Sequence, residues 1–263
     1  MRTVFNGLEM FVNMSGDTLY FFYFCYILYT IAMNIKSKDI KVNTSPLLTF
    51  TRNTQAGACY KSVSSGRAIK TFEEAARELL RKSIHLLIAL TPTLASYNKN
   101  VTVALLTGGV LFYIVLESLR IEGIKVPFFS MITQTASRER DGNGFVMGPV
   151  TLGSGALIAL MLYPSSAAAI AIYALAFGDA FASIVGRIFG QLRPAFLCGK
   201  SIEGSVACFI AVFIAAYKVS KNPLISSVAA LAATIVEALP LEDYDNIAIP
   251  LAVGMTVTIC QLQ

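Results

Sequence analysis

Charge is scarce in this 263-residue sequence: Asp, Glu, Lys and Arg make up 14%, where soluble domains carry about 25%. Histidine is scarcer still. His85 is the only one, so a multi-histidine metal centre is excluded. Five cysteines (Cys25, Cys59, Cys198, Cys208 and Cys260) are scattered without a CxxC pair, and suggest neither a zinc site nor a disulfide framework. No internal repeat and no soluble second domain is visible. The net charge of +5 is small, and no nucleic-acid partner is expected from it. What is abundant is apolar surface, 55% of residues, with a mean hydropathy of +0.63. That balance describes an integral membrane protein.

Apolar length predicts eight membrane helices, at 18–35, 83–97, 101–119, 148–163, 165–187, 203–220, 224–239 and 245–262. Several are nearer sixteen residues than the roughly 20 of a full span. The expected fold is an all-α polytopic transmembrane bundle of seven to eight spans. The first segment has no basic flank or small-residue cleavage site and reads as a helix that stays. Residues 36–72 are rich in Ser, Thr, Asn and Lys without periodicity and read as a linker. Thr71 with Glu74 then suggests a capped helix start. The expected division is residues 1–70, a membrane helix plus cytoplasmic linker, and 71–263, the catalytic membrane domain.

Lys and Arg fix the expected orientation. Loops 36–82, 120–147 and 187–202 hold seventeen, while the opposite side holds only Arg2, Lys99, Lys218 and Lys221. By the positive-inside rule, the richer side is cytoplasmic.

The unusual polar residues gather on that side. Phe177 to Gly204 begins inside an apolar run, yet contains Asp179, Arg187, Lys200, Ser201 and Glu203. An acid at membrane depth costs several kcal/mol by most scales, on the order of 3 or more, and such a residue is rarely incidental. Asp179, Ser183 and Arg187 share one helix face, and Gly178, Ala182, Gly186 and Gly190 share a neighbouring one that admits another backbone. Arg81, Lys82 and His85 open the second predicted helix, and Glu117 and Arg120 close the third. Glu237 closes the seventh, and Glu242, Asp243, Asp245 and Asn246 follow.

Each has a bland alternative. Arg81 and Lys82 would serve as interfacial anchors, His85 as a satisfied interfacial side chain, Glu117 and Arg120 as an intrahelical pair, and the acids at 242–245 as a solvated loop. Asp179 is hardest to explain this way, because its burial needs a partner. Lys200 and Ser201 at a helix start suit phosphate binding. The stretch is not a P-loop, since Pro194 stands where the earlier glycine is required. Asp179, Glu203, Glu237 and Asp245 are hard oxygen donors suited to Mg²⁺ bound with phosphates. Cations, carboxylates and a divalent ion together describe phosphoryl or nucleotidyl transfer.

Three blocks together resemble the polyprenol kinase family, which includes dolichol kinase, phytol kinase and CTP-dependent diacylglycerol kinase. They are Glu78 to His85; Gly178-Asp179-Ala180 through Gly186-Arg187 and Gly190 to Lys200-Ser201-Ile202-Glu203-Gly204; and Glu237-Ala-Leu-Pro240 followed by Asp245-Asn246 and Pro250. The likeness covers about Thr71 to the C-terminus. It implies a multi-pass membrane enzyme that phosphorylates a lipid alcohol with CTP and a divalent cation. The middle block also resembles phosphatidate cytidylyltransferase, although that enzyme's later Lys-Asp and His-Gly-Gly signature has no counterpart here.

On this reading Asp179, Glu203, Glu237 and Asp245 hold Mg²⁺. Arg81, Lys82, Arg187 and Lys200 neutralise the triphosphate, with Ser201, Gly204 and Asn246 hydrogen-bonding it. Asp179 or His85 accepts the hydroxyl's proton. The acceptor arrives from the bilayer and CTP from the cytosol. A cytidylyltransferase and, more distantly, a transporter stay open, and the oligomeric state is not legible.

Overall fold

In the computed structural model the described residues are 81–124, 144–194, 197 and 199–262. The predicted helix 18–35, the linker to residue 70 and the Thr71 cap lie outside them. Among the described residues every regular element is helical.

The first is broken where the sequence requires it. Residues 81–87 form helix α1, a 3₁₀ turn follows at Ile88–Leu90, and α2 runs Thr91–Tyr97 with Pro92 in its first turn. Pro92 has no N–H for the carbonyl four residues back, so an uninterrupted α-helix over 83–97 is disfavoured there. Asn98 then caps α3 (Lys99–Ile121), its Oδ1 accepting from the Val101 N–H at 3.1 Å. Helix α4 spans Gly148–Leu162 and α5 Ser165–Tyr173. A π-helical turn, Ala174–Gly178, joins α5 to α6 (Asp179–Ile188) without a break. Ser201 caps α7 (Ile202–Ser220), and Asn222 caps α8 (Pro223–Ala238). Helix α9 is Asp245–Gln261, with Pro250 inside it.

Three helical runs are long and apolar enough to cross a membrane: Lys99–Ile121, Ser165–Ile188 and Ile202–Ser220. The middle run is the central one, with 61% of its membrane window buried against 11% and 28% for the others. Around it, α7 packs on α6 and α8, α9 packs on α8, α4 and α5, and α3 packs on α4. Large apolar residues face outward, among them Leu105, Phe112, Val115, Ile210, Ile214, Leu231 and Met255. The buried apolar positions are largely alanine, including Ala156, Ala159, Ala167, Ala171, Ala174, Ala176, Ala229, Ala230 and Ala233. Small residues inside and large ones outside is the pattern of helices that associate by close backbone packing in lipid.

Helices α6 and α7 approach closely. A Cβ on Gly204 would lie 2.7 Å from the Ala182 carbonyl, and one on Gly178 would press on Val212 and Cys208. The small-residue face predicted over Gly178, Ala182, Gly186 and Gly190 is thus the face that receives α7. Because successive helices alternate in direction, the ends near residues 121, 148, 188, 202, 238 and 245 share one end of the bundle. Contacts at both ends agree with this. Lys200 meets Glu237 and Asn246 meets Thr151 at that end, while Ser166 meets Gln261 at the other.

Candidate active site

The centre of the polar end is Asp179, at the first turn of α6 and 6% exposed. It lies nine residues before Ile188, about 13 Å along the helix at 1.5 Å per residue. Two residues of α1 meet it. Lys82 Nζ donates to Asp179 Oδ2, and His85 Nδ1 lies 2.9 Å from the same oxygen, off the axis of an aligned hydrogen bond. Lys82 and His85 are three apart and so share a helix face; they are 2% and 6% exposed. An isolated buried carboxylate would be prohibitively costly, and the ammonium compensates it. The compensating side chains therefore come from α1. Arg187, considered above for its position on the same face as Asp179, sits exposed near the end of α6.

The π-helical turn immediately before Asp179 widens the helix by one residue and so helps set which way the carboxylate points. Such single wide turns recur at functional sites.

A second pair stands nearby. Lys200 Nζ lies 3.1 Å from Glu237 Oε1 and also donates to the Glu237 main-chain carbonyl, so the loop before α7 is tied to the end of α8. Helix α8, which ends at Glu237, packs on the π-helical turn before Asp179, and that turn meets Cys208 of α7 at Gly178.

Other predicted residues have structural duties. Ser201 Oγ accepts from the Gly204 N–H at 3.1 Å, so the amide expected to be open at Gly204 is occupied by the cap. Glu203 Oε1 accepts from the Gln191 and Leu192 amides at 3.0 and 3.1 Å, fixing the chain as it leaves α6. Its Oε2 is buried without a hydrogen-bond partner. Asp245 and Asn246 are buried in the first turn of α9 rather than lying in a solvated loop. Arg81 is half-buried on α1. Glu117 and Arg120 do form an intrahelical pair, with two contacts of 2.8 Å. They also bind the chain entering α4, since Glu117 Oε1 accepts from the Val146 N–H at 2.9 Å and Arg120 donates to the Gly144 carbonyl at 2.7 Å.

The four carboxylates expected to share a metal are not gathered. Among the described residues no three His, Cys, Asp or Glu side chains form a candidate ligand set. The reason is local: Asp179 is held by Lys82 and His85, Glu237 by Lys200, and one oxygen of Glu203 by two amides. Among the described residues there is no protein cage for a divalent ion. A site of one or two carboxylates completed by substrate phosphates, common for Mg²⁺, fits the unpartnered Glu203 oxygen.

Arg193 was missed by sequence reading. It donates to the Gly199 and Gly186 carbonyls at 2.8 and 2.9 Å, tying the last turn of α6 to the residue before Lys200. Nothing in its sequence context distinguishes it from an interfacial anchor.

No protein-family profile matches the chain, and no solved structure does. Curated relatives do. The chain is 32% identical over 139 residues to a probable phytol kinase, chloroplastic, of Triticum aestivum, covering 46% of each chain. It is 28% identical over 148 residues to probable phytol kinase 1, chloroplastic, of Oryza sativa subsp. japonica, covering 49% of this chain and 47% of the relative. It is 28% identical over 152 residues to phytol kinase 1, chloroplastic, of Arabidopsis thaliana, covering 51% and 50%. The chain spans about half the length of the curated relatives it matches. These likenesses, with the three motif blocks, support membership of the polyprenol and phytol kinase family.

Proposed function

We propose that this chain is a lipid-alcohol kinase, transferring the γ-phosphoryl group of CTP to the hydroxyl of a polyprenol, phytol or diacylglycerol-like lipid at the cytoplasmic face. The observation that carries the reading is the buried Lys82–Asp179–His85 cluster at the polar end of an otherwise apolar bundle, the end that also holds Lys200. The likeness to phytol kinases supports it, and the positive-inside asymmetry supports the side of the membrane.

In the proposed reaction His85 Nδ1 faces the Asp179 carboxylate at 2.9 Å, which leaves Nε2 to take the proton of the attacking hydroxyl. The hydroxyl oxygen bonds to the γ-phosphorus as the bond to the β–γ bridging oxygen breaks, and CDP leaves. Lys82 compensates the Asp179 carboxylate, which stabilises the imidazolium that forms. Lys200, with Arg81 and Arg187, faces the developing charge on the phosphates, and positioning plus charge neutralisation supplies most of the acceleration in such transfers. A divalent cation bound with the phosphates would add to that neutralisation, held by Glu203 and Asp245.

The test offers membranes containing the chain CTP labelled at the α- or the γ-phosphate, with a panel of lipid alcohols and phosphatidic acid. Passage of γ-label to an alcohol is expected. Passage of α-label to phosphatidic acid would make the chain a cytidylyltransferase and overturn the reading.

A further inference from the structure

Asn246, in the first turn of α9, is 3% exposed, and a relay of hydrogen bonds fixes which way its amide points. Thr151 Oγ1 lies 3.0 Å from the Gly148 carbonyl and 3.3 Å from that of Met147. Carbonyls only accept, so the single hydroxyl proton goes to the backbone of α4. Thr151 Oγ1 is left as an acceptor, and Asn246 Nδ2 donates to it at 3.0 Å. A reversed amide would need that proton for itself and take it from the Gly148 and Met147 carbonyls. Asn246 Oδ1 therefore points away from Thr151, and it is buried without a hydrogen-bond partner.

A second acceptor in the same turn is closed off. Pro250 provides no N–H to the Asn246 carbonyl four residues before it, but that oxygen is sealed by Gly155 of α4, where a Cβ would collide with it. Oδ1 is the acceptor of Asn246 left open. A buried acceptor without a donor is costly, and a bound molecule bearing an O–H or N–H removes the cost. Phosphate oxygens are themselves acceptors and would be repelled.

Resting on the lipid-kinase reading, we propose that Asn246 Oδ1 is a specificity-determining contact for a neutral donor of the bound substrate. That donor is the alcohol's hydroxyl or the exocyclic amine of the nucleotide base, and this role replaces the phosphate contact expected of Asn246.

The test uses the full chain in lipid nanodiscs, comparing wild type, Asn246→Ala, Thr151→Val and Thr151→Ser. Equilibrium binding of CTP and UTP is measured first, because UTP presents a carbonyl where CTP has the amine and binding requires no turnover. The KM for the alcohol is measured second. Asn246→Ala is expected to weaken one donor about tenfold. A collapsed preference for CTP over UTP assigns the amine. A raised KM for the alcohol with CTP binding unchanged assigns the hydroxyl. Thr151→Val, which frees the amide to turn, should give a smaller loss in the same arm, and Thr151→Ser none; Thr151→Val carries the test alone where Asn246→Ala does not fold. The proposal is overturned where neither quantity moves, or where only the Mg²⁺ requirement moves, which would make Oδ1 a metal ligand. Wild type that transfers no phosphate refutes the kinase reading separately, while the nucleotide-binding arm still reads Asn246.

Discussion

Replacing Lys82 by methionine leaves Asp179 as a buried carboxylate without its ammonium. Both side chains are almost fully enclosed, so water cannot take the place of the lost cation. Removing one member of such a pair costs about 3–5 kcal/mol, whereas exchanging both for apolar groups of similar volume is often neutral. For a chain of this size each kcal/mol moves Tm by roughly 2–4 °C, so Lys82→Met should lower Tm by about 6–20 °C. Asp179→Leu alone should do the same by stranding the lysine. The double variant, Lys82→Met with Asp179→Leu, should return to within about 1 kcal/mol of wild type. Thermal unfolding in detergent, followed by labelling of the buried Cys208 thiol, reads each state, and the double-mutant cycle isolates the pair from the other contacts of Lys82. Phosphoryl transfer should stay absent in the double variant although stability returns. Additive losses, with the double variant less stable than either single one, would refute the claim that Lys82 compensates Asp179.

The close approach of α6 and α7 makes Gly204→Ala costly, since its Cβ would meet the Ala182 carbonyl at 2.7 Å; a loss of about 1–3 kcal/mol is expected, seen as a lower Tm. Glu203 holds two amides through one oxygen, so Glu203→Ala should lower Tm by freeing the chain that leaves α6. Glu203→Gln, which keeps an acceptor, should preserve Tm. A fall in divalent-ion affinity in Glu203→Gln, measured by Mn²⁺ titration in the presence of nucleotide, would mark the buried Oε2 as the metal contact.

The helices were largely legible because apolar runs mark them. The run 101–119 became Lys99–Ile121 behind the Asn98 cap, and 224–239 became Pro223–Ala238 behind Asn222. The interruption at Ile88–Leu90 was also within reach, since Pro92 announces it. The gathering of polar residues at one end followed from alternating helix direction alone. The partners of Asp179 did not. Whether Arg81 or Lys82 faces it depends on the rotation of α1 and on the wide turn before Asp179, and neither leaves a periodic trace. The surroundings of the supposed metal set were hidden for a related reason. Sequence proximity showed four acids at one end, but not that Lys200, Lys82 and two backbone amides would occupy three of them. Asn246 carried a readable clue in Pro250 four residues on, which frees its carbonyl.

The most direct test of the central claim, that the buried cluster is a reaction centre rather than a structural ion pair, is the γ-phosphoryl transfer rate of His85→Gln. This change removes the proposed base and leaves the Lys82–Asp179 pair in place. The account predicts a rate lower by about 10²–10⁴-fold, with Tm and CTP binding close to wild type. A rate equal to wild type would contradict it and make the cluster a structural element.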